Sequence, residues 1–171
     1  AQAAGKTVVL IAGRPYHVDP LINHGLPDYI ASLGVSVVTE DSVMQLAPEP
    51  GKLRVVNQWA YHSRLYRAAA LAATEPCVEL IHLTNFGCGI DAITSDQVAE
   101  ILQRSGKLYT LLKIDEGDSL GPAKIRIASL LATVEERKAG RGMPKADESD
   151  ETPAKAPAKP AVFVRSMRET H

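Results

Sequence analysis

Four short apolar blocks alternate with longer segments whose apolar residues recur every three or four positions, a rhythm that predicts strands and helices taken in turn. Residues 6–13, with Val8-Val9-Leu10-Ile11-Ala12 unbroken, read as a buried strand. Residues 14–24 form a polar loop. Residues 25–33 give a short helix ended by Gly34, and 35–39 alternate small and β-branched residues as a second strand. Residues 40–53, broken by Pro48, Pro50 and Gly51, read as loop. A long helix is predicted over 54–73, where Val55, Trp59, His62, Tyr66, Ala69 and Ala73 fall at helical spacing, and Pro76 closes the connection to a third strand over 78–83. A helix over 92–104 carries Ile93, Val98, Ile101 and Leu102 on its apolar side, and 108–114 form a fourth strand. A last helix follows Gly121-Pro122, with Ile127, Leu130, Leu131 and Val134 as its buried face.

The resulting βαβαβαβα order demands right-handed crossovers and a mostly parallel, four-stranded sheet covered by helices on both faces. With strand one central, strand two on one side and strands three and four on the other, the order is 2-1-3-4. The ligand crevice then lies between the carboxyl ends of strands one and three. It is lined by Arg14-Pro15-Tyr16-His17, by 85–91, and by Asp115-Glu116 after strand four. Residues 1–138 therefore read as one α/β domain. Residues 139–160, a tract of Gly, Pro, Ala, Lys, Asp and Glu, cannot bury enough apolar area to offset ordering entropy and read as a linker. Residues 161–171 open with Ala-Val-Phe-Val, the start of a following strand or domain, which suggests a piece of a longer polypeptide.

Composition narrows the classes. The 171 residues carry 19 basic and 20 acidic side chains for a net charge of −1, which offers no footprint for nucleic acid or an anionic membrane surface. The longest apolar run is far shorter than the roughly 18 residues that cross a bilayer, and a cytoplasmic location is the expectation. Cys77 and Cys88 bracket the third strand, so they stand too far apart to bond to each other, and Cys77 reads as an inert residue at the strand's start.

The candidate chemistry centres on Asn85-Phe86-Gly87-Cys88-Gly89-Ile90-Asp91, between strand three and the next helix. Gly87 and Gly89 let the backbone turn sharply and leave the sulfur uncrowded, and free N–H groups at a helix start favour a thiolate. Such a thiolate binds metal or attacks an electrophile, while a structural cysteine is only a small buried hydrophobe. In the loop after strand one, Arg14, Tyr16, His17, Asn23 and His24 gather a cation, a phenol, an amide and two imidazoles. A phosphate-cradling loop and a dinucleotide fingerprint are both absent, and Phe86 and Ile90 occupy positions where a nucleophile elbow wants small residues. Zinc needs about four ligands, of which Cys88, His17 and His24 provide three only if their loops converge, and an iron–sulfur cluster needs about four thiolates, to which this chain can contribute one ligand without completing a site.

The stretches 13–25, Thr39-Glu40-Asp41, 58–66, 85–97 and 113–116 together resemble a segment of the large activase-related proteins of the 2-hydroxyacyl-CoA dehydratase group, over about residues 8–137. The resemblance implies a flavodoxin-like domain in a tandem arrangement. It implies that Cys88 is one ligand of a [4Fe–4S] cluster completed by cysteines of other domains, used in low-potential electron transfer, and that the isolated chain holds no cluster. It places Arg14, Tyr16, His17, His24, Asn85, Gly87 and Gly89 around that cofactor. The implied partners are other domains of the same polypeptide, an ATP-dependent activase domain and an acyl-CoA substrate. The activase ATP-binding motifs are not in this chain, so any ATPase activity belongs elsewhere. Two other readings stay open: a metal-free module that binds a small ligand or another domain, and a cysteine-nucleophile enzyme with His17 or His24 as base.

Overall fold

The computed structural model describes residues 6–84, 89–114 and 120–140. Strand β1 (Val8–Ala12) is followed by a short 3-10 turn at Pro15–Val18, helix α1 (Pro20–Asn23), helix α2 (Leu26–Ser32) and strand β2 (Ser36–Thr39). Helix α3 (Glu40–Val43), a 3-10 turn at Met44–Leu46, helix α4 (Ala60–Thr74), strand β3 (Val78–Thr84), helix α5 (Gly89–Gln103), strand β4 (Thr110–Lys113) and helix α6 (Gly121–Lys138) complete the order. The sheet is parallel throughout, in the order β2-β1-β3-β4. With helices on both faces this is a flavodoxin-like α/β arrangement.

The two faces have separate cores. Val8, Leu10, Leu80, Leu65, Ala69, Val98 and Leu102 join β1 and β3 to α4 and α5. Val9, Ile11, Ile81, Leu112, Leu26, Ile30, Ile127 and Leu130 join the sheet to α2 and α6 on the other face. Both central strands bury every residue but the last of β3, which is why they read as continuous apolar runs and not as alternating ones.

Several boundaries differ from the sequence reading for local reasons. The long helix begins at Ala60, because the preceding segment is held in extended form: the Arg54 N–H donates to Gln97 Oε1 (2.7 Å), and Trp59 has φ −110° and ψ 130°. Glu40 and Asp41 form the first turn of α3 where loop was expected; acidic side chains favour a helix start. The helix after β3 begins at Gly89, and its buried face is Thr94, Gln97, Val98, Ile101 and Leu102, so Ile93 lies on the outside. Gly34, with φ +84°, closes α2 as expected.

The amino edge is pinned by charge. Lys107, buried just before β4, donates from Nζ to the carbonyls of Glu75 (3.2 Å), Pro76 (3.0 Å) and Val78 (2.7 Å) and to Glu79 Oε1 (3.0 Å). Arg137 of α6 donates to the same oxygen at 3.1 Å. Glu79 sits inside β3 with 1% of its surface exposed, and two cations plus satisfied donors make that burial tolerable. Lys107→Met should therefore cost about 3 kcal/mol in urea denaturation, since it strips a buried carboxylate of its closest cation and leaves three carbonyls without that donor. A loss under about 1 kcal/mol would show that the network is peripheral to stability.

Candidate functional site

The carboxyl ends of β1 and β3 lie side by side at the edge of the sheet where strand order reverses. The chain turns off β1 at Gly13, whose α-carbon faces β3 so closely that an added Cβ would lie 2.8 Å from the Leu83 carbonyl oxygen and collide with His17 Nδ1. Pro15 starts the 3-10 turn and Asp19 caps α1 by accepting from the Leu21 N–H (2.8 Å). The turn folds His17 inward: its Nδ1 accepts from the Arg14 N–H at 2.9 Å, and its carbonyl accepts from buried Asn23 Nδ2 at 3.0 Å. With Nδ1 an acceptor, neutral His17 carries its proton on Nε2.

Arg14 spans the crevice. Its Nη2 meets Asp91 Oδ1 of α5 at 2.5 Å, joining residues 77 positions apart, and His62 Nε2 of α4 stands 3.8 Å from the same oxygen. His82 points to the same face, as the strand alternation from Val78 and Leu80 requires, and its Nδ1 lies 2.9 Å from the Tyr109 hydroxyl. Glu40 closes the other side of Gly13, whose N–H donates to it, and pairs with Arg64 at 3.2 Å. Arg64 also pairs with Asp41. The Trp59 ring sits 5.5 Å from the His62 ring, and Tyr16 packs edge-on to His17 at 4.6 Å.

Burial sets the protonation of this cluster. Desolvation lowers His17 to about 4, helped by the Arg14 charge and opposed by Asp91; His82 is lowered to about 4 by desolvation as well. His62 is also shifted down by burial. Burial pushes Glu40 up to about 7 against the pull of Arg64 and the Gly13 N–H, and pushes the Tyr109 hydroxyl up to about 12. The result is a set of imidazoles held toward their neutral form beside the Arg14–Asp91 pair, with Arg64 paired to Glu40 and Asp41 on the other side. His17 Nε2, both ring nitrogens of His62 and Glu40 Oε2 are buried without a hydrogen-bond partner. Such atoms cost about 1–3 kcal/mol each and are concentrated where proteins bind or react.

The sequence-predicted residues are distributed unevenly around this cluster. Arg14, His17 and Asp91 meet; Tyr16 lies at the rim, 42% exposed. His24 is exposed at the carboxyl end of α1 with φ 53°, and among the described residues no hydrogen bond or ion pair ties it to the cluster. Gly89 opens α5. Asn85, Gly87, Cys88, Asp115 and Glu116 lie outside the described residues. His82, Glu40, Arg64 and Tyr109 are cluster members that the motif reading did not single out for a site. Among the described residues no three His, Cys, Asp or Glu side chains are placed to hold a metal ion, and Cys77 stands at the opposite end of β3, so those residues alone do not fit an iron–sulfur cluster. No described helix is long and apolar enough to cross a membrane.

Residues 1–43 are similar to a CoA enzyme activase domain. The family model that matches them is described as a CoA enzyme activase uncharacterised domain, and the match takes in β1, the Arg14–His17 turn, β2 and Glu40. No curated protein and no solved structure matches the chain. The similarity supports a link to activase-related proteins over that segment.

Two outcomes follow from this geometry. Gly13→Ala should destabilise the fold by about 1–3 kcal/mol, because the blocking Leu83 oxygen is backbone and cannot swing aside; a neutral effect in thermal unfolding would place the two strands farther apart. The buried groups also oppose one another in pH. His17 and His82, lowered from 6.5, give stability that is present above pH 6.5 and lost as pH falls toward 4. Glu40, raised from 4.5 to about 7, gives stability that is present below pH 4.5 and lost as pH rises through 7, so it offsets part of the acid loss. Glu40→Gln should make the fall in unfolding free energy between pH 6.5 and 4.5 steeper than in the parent, and an unchanged or shallower slope would contradict the assignment.

Proposed function

We propose that this chain is a flavodoxin-like domain of a protein related to the activase and 2-hydroxyacyl-CoA dehydratase group, and that it contributes Cys88 as one ligand of a [4Fe–4S] cluster whose other ligands come from other domains. The observation that carries this reading is the similarity of residues 1–43 to a CoA enzyme activase domain, since that segment supplies Arg14, His17 and Glu40 to the carboxyl edge. Cys88 directly precedes Gly89, where α5 begins. The described residues do not complete a cluster, so the reading requires thiolates from outside them.

A cluster of this type supplies low-potential, one-electron transfer when bound. What the chain's own residues do is hold an environment. Arg14 is fixed by Asp91 and offers a guanidinium at the edge without adding net charge. His17 and His62 keep neutral rings with unpartnered nitrogens in a dry surrounding, so they can donate to or accept from a polar group. Burial and hydrogen bonds of this kind set cluster potentials. In this reading the protein works in the cytoplasm, its partners are neighbouring domains and an ATP-dependent activase, and an acyl-CoA is the substrate class.

The test is iron and acid-labile sulfide analysis of the anaerobically purified polypeptide that carries this domain, as parent, Cys88→Ser and Cys77→Ser. Cys88→Ser should lose most of the iron and alter the cluster spectrum, with Cys77→Ser unchanged. Equal iron and identical spectra in all three would remove Cys88 from the ligand set.

A further inference from the structure

Between the 3-10 turn at Met44–Leu46 and the start of α4, residues 47–59 have no helix or strand of their own. Connections this long are usually functional or serve as linkers. This one is laid down in register: Leu53 and Val55 pack on the core that α4 and α5 share, while Arg54 is exposed and Val56 is 75% exposed, the alternation of an extended chain. Its fastening is polar and comes from α5. Gln97, buried to 1% exposure, accepts from the Arg54 N–H through Oε1 at 2.7 Å and donates from Nε2 to Glu100 Oε2 at 3.4 Å. Glu100 pairs in turn with Arg54 Nε at 2.5 Å and with Arg104, whose Nη1 donates to the Lys52 carbonyl at 3.5 Å. The upstream end is held separately by Arg67 of α4, which donates to the carbonyls of Met44 (3.2 Å) and Ala47 (2.8 Å). A buried amide is costly unless its bonds are made, and once made they select a single arrangement.

The downstream end opens on the crevice. Asn57 Nδ2 donates to Ser63 Oγ at 3.2 Å, and Trp59 stands at the N-cap of α4 with its ring 5.5 Å from that of His62. His62 Nε2 lies 3.8 Å from Asp91 Oδ1, the same oxygen that Arg14 holds. Asp91 and Gln97 both belong to α5, about 9 Å apart along its axis at 1.5 Å per residue. One helix therefore carries the carboxylate that faces His62 and the amide that fastens the segment leading to His62.

We infer that residues 47–59 form a strap along one wall of the crevice, and that Gln97 is a positioning residue: by fixing Arg54 to α5 it holds Trp59 against His62 and sets both rings relative to Asp91. The role concerns the crevice itself and is independent of whether Cys88 ligates a cluster. It has a consequence for His62. Desolvation is the main cause that holds this imidazole below its ordinary range, with the Arg14 charge adding to it and Asp91 opposing it. A slackened strap lets water reach the ring and removes that cause.

Trp59 is the chain's single tryptophan, so its emission reports on this position alone. Two variants of the 171-residue chain test the inference: Gln97→Leu keeps the bulk and removes the acceptor, while Gln97→Glu keeps an acceptor for the Arg54 N–H. In Gln97→Leu the Arg54 amide should exchange at least about tenfold faster and Trp59 emission should move to the red. The His62 titration followed by NMR should rise toward the ordinary imidazole range, with His82 and the β3 amides unchanged. Gln97→Glu should stay close to the parent in all three readings. Unchanged Trp59 emission and His62 titration in Gln97→Leu, whatever happens at Arg54, overturn the inference and leave Trp59 to α4 alone. So does a Gln97→Glu protein that behaves as Gln97→Leu does. If Gln97→Leu also loses β3 protection, it is misfolded, and Glu100→Gln, which weakens the Arg54 and Arg104 pairs at a partly exposed position, decides by the same readings.

Discussion

The parallel pairing of β1 with β3 is the interaction on which the rest of the molecule depends. These strands are consecutive in the sheet but far apart in sequence, and the register Val8↔Val78 to Ala12↔His82 brings their carboxyl ends level. Only with that register does the chain leaving Gly13 pass against the Leu83 carbonyl, fold His17 inward and set Arg14 across from Asp91. A crevice opens between those carboxyl ends because α2, which leads the chain from β1 to β2, packs on one face of the sheet and α5, which follows β3, packs on the other.

The two ends of the sheet handle buried polarity in different ways. At the amino edge, Lys107 places its ammonium among four acceptors, and Glu79 Oε1 receives two cations. At the carboxyl edge, nitrogens of His17 and His62 and an oxygen of Glu40 are buried and unmatched. The amino edge is not wholly satisfied, since Glu79 Oε2 and Arg137 Nη2 are buried without partners as well, but there the charges are paired with each other, whereas the unmatched atoms of the carboxyl edge include neutral imidazole nitrogens.

Much of the fold was legible in the sequence because the central strands are apolar throughout and the intervening helices keep their period. Element starts were less so. Val55 fits the helical stripe of α4, yet the segment before Ala60 is captured by Gln97 from another helix, a contact that periodicity along one segment does not encode. Ile93 looks like a core residue until Thr94 and Gln97 are seen to be buried through bonds of their own. In the site, Arg14, His17 and Asp91 were visible as unusual polar residues beside turns. His82 was hidden inside an apolar strand, Glu40 inside a segment read as loop, and Lys107 looked like any lysine near a connection. His24 had the right chemistry in the right loop, but its left-handed backbone turns it to the surface while the adjacent Asn23 is buried.

The links made by Lys107 and Arg137 bear on the order in which the chain comes together. They join positions separated by 28 to 58 residues, all within the stretch that builds β3, α5, β4 and α6. Contacts of that separation close at less cost in chain entropy than the pairing of β1 with β3 does. The crevice, whose walls come from both β1 and β3, is then completed only when the earlier part of the chain docks. Arg14 can therefore stand opposite Asp91 only where β1 is paired with β3, whereas the links of Lys107 and Arg137 to Glu79 lie wholly within the later stretch of the chain.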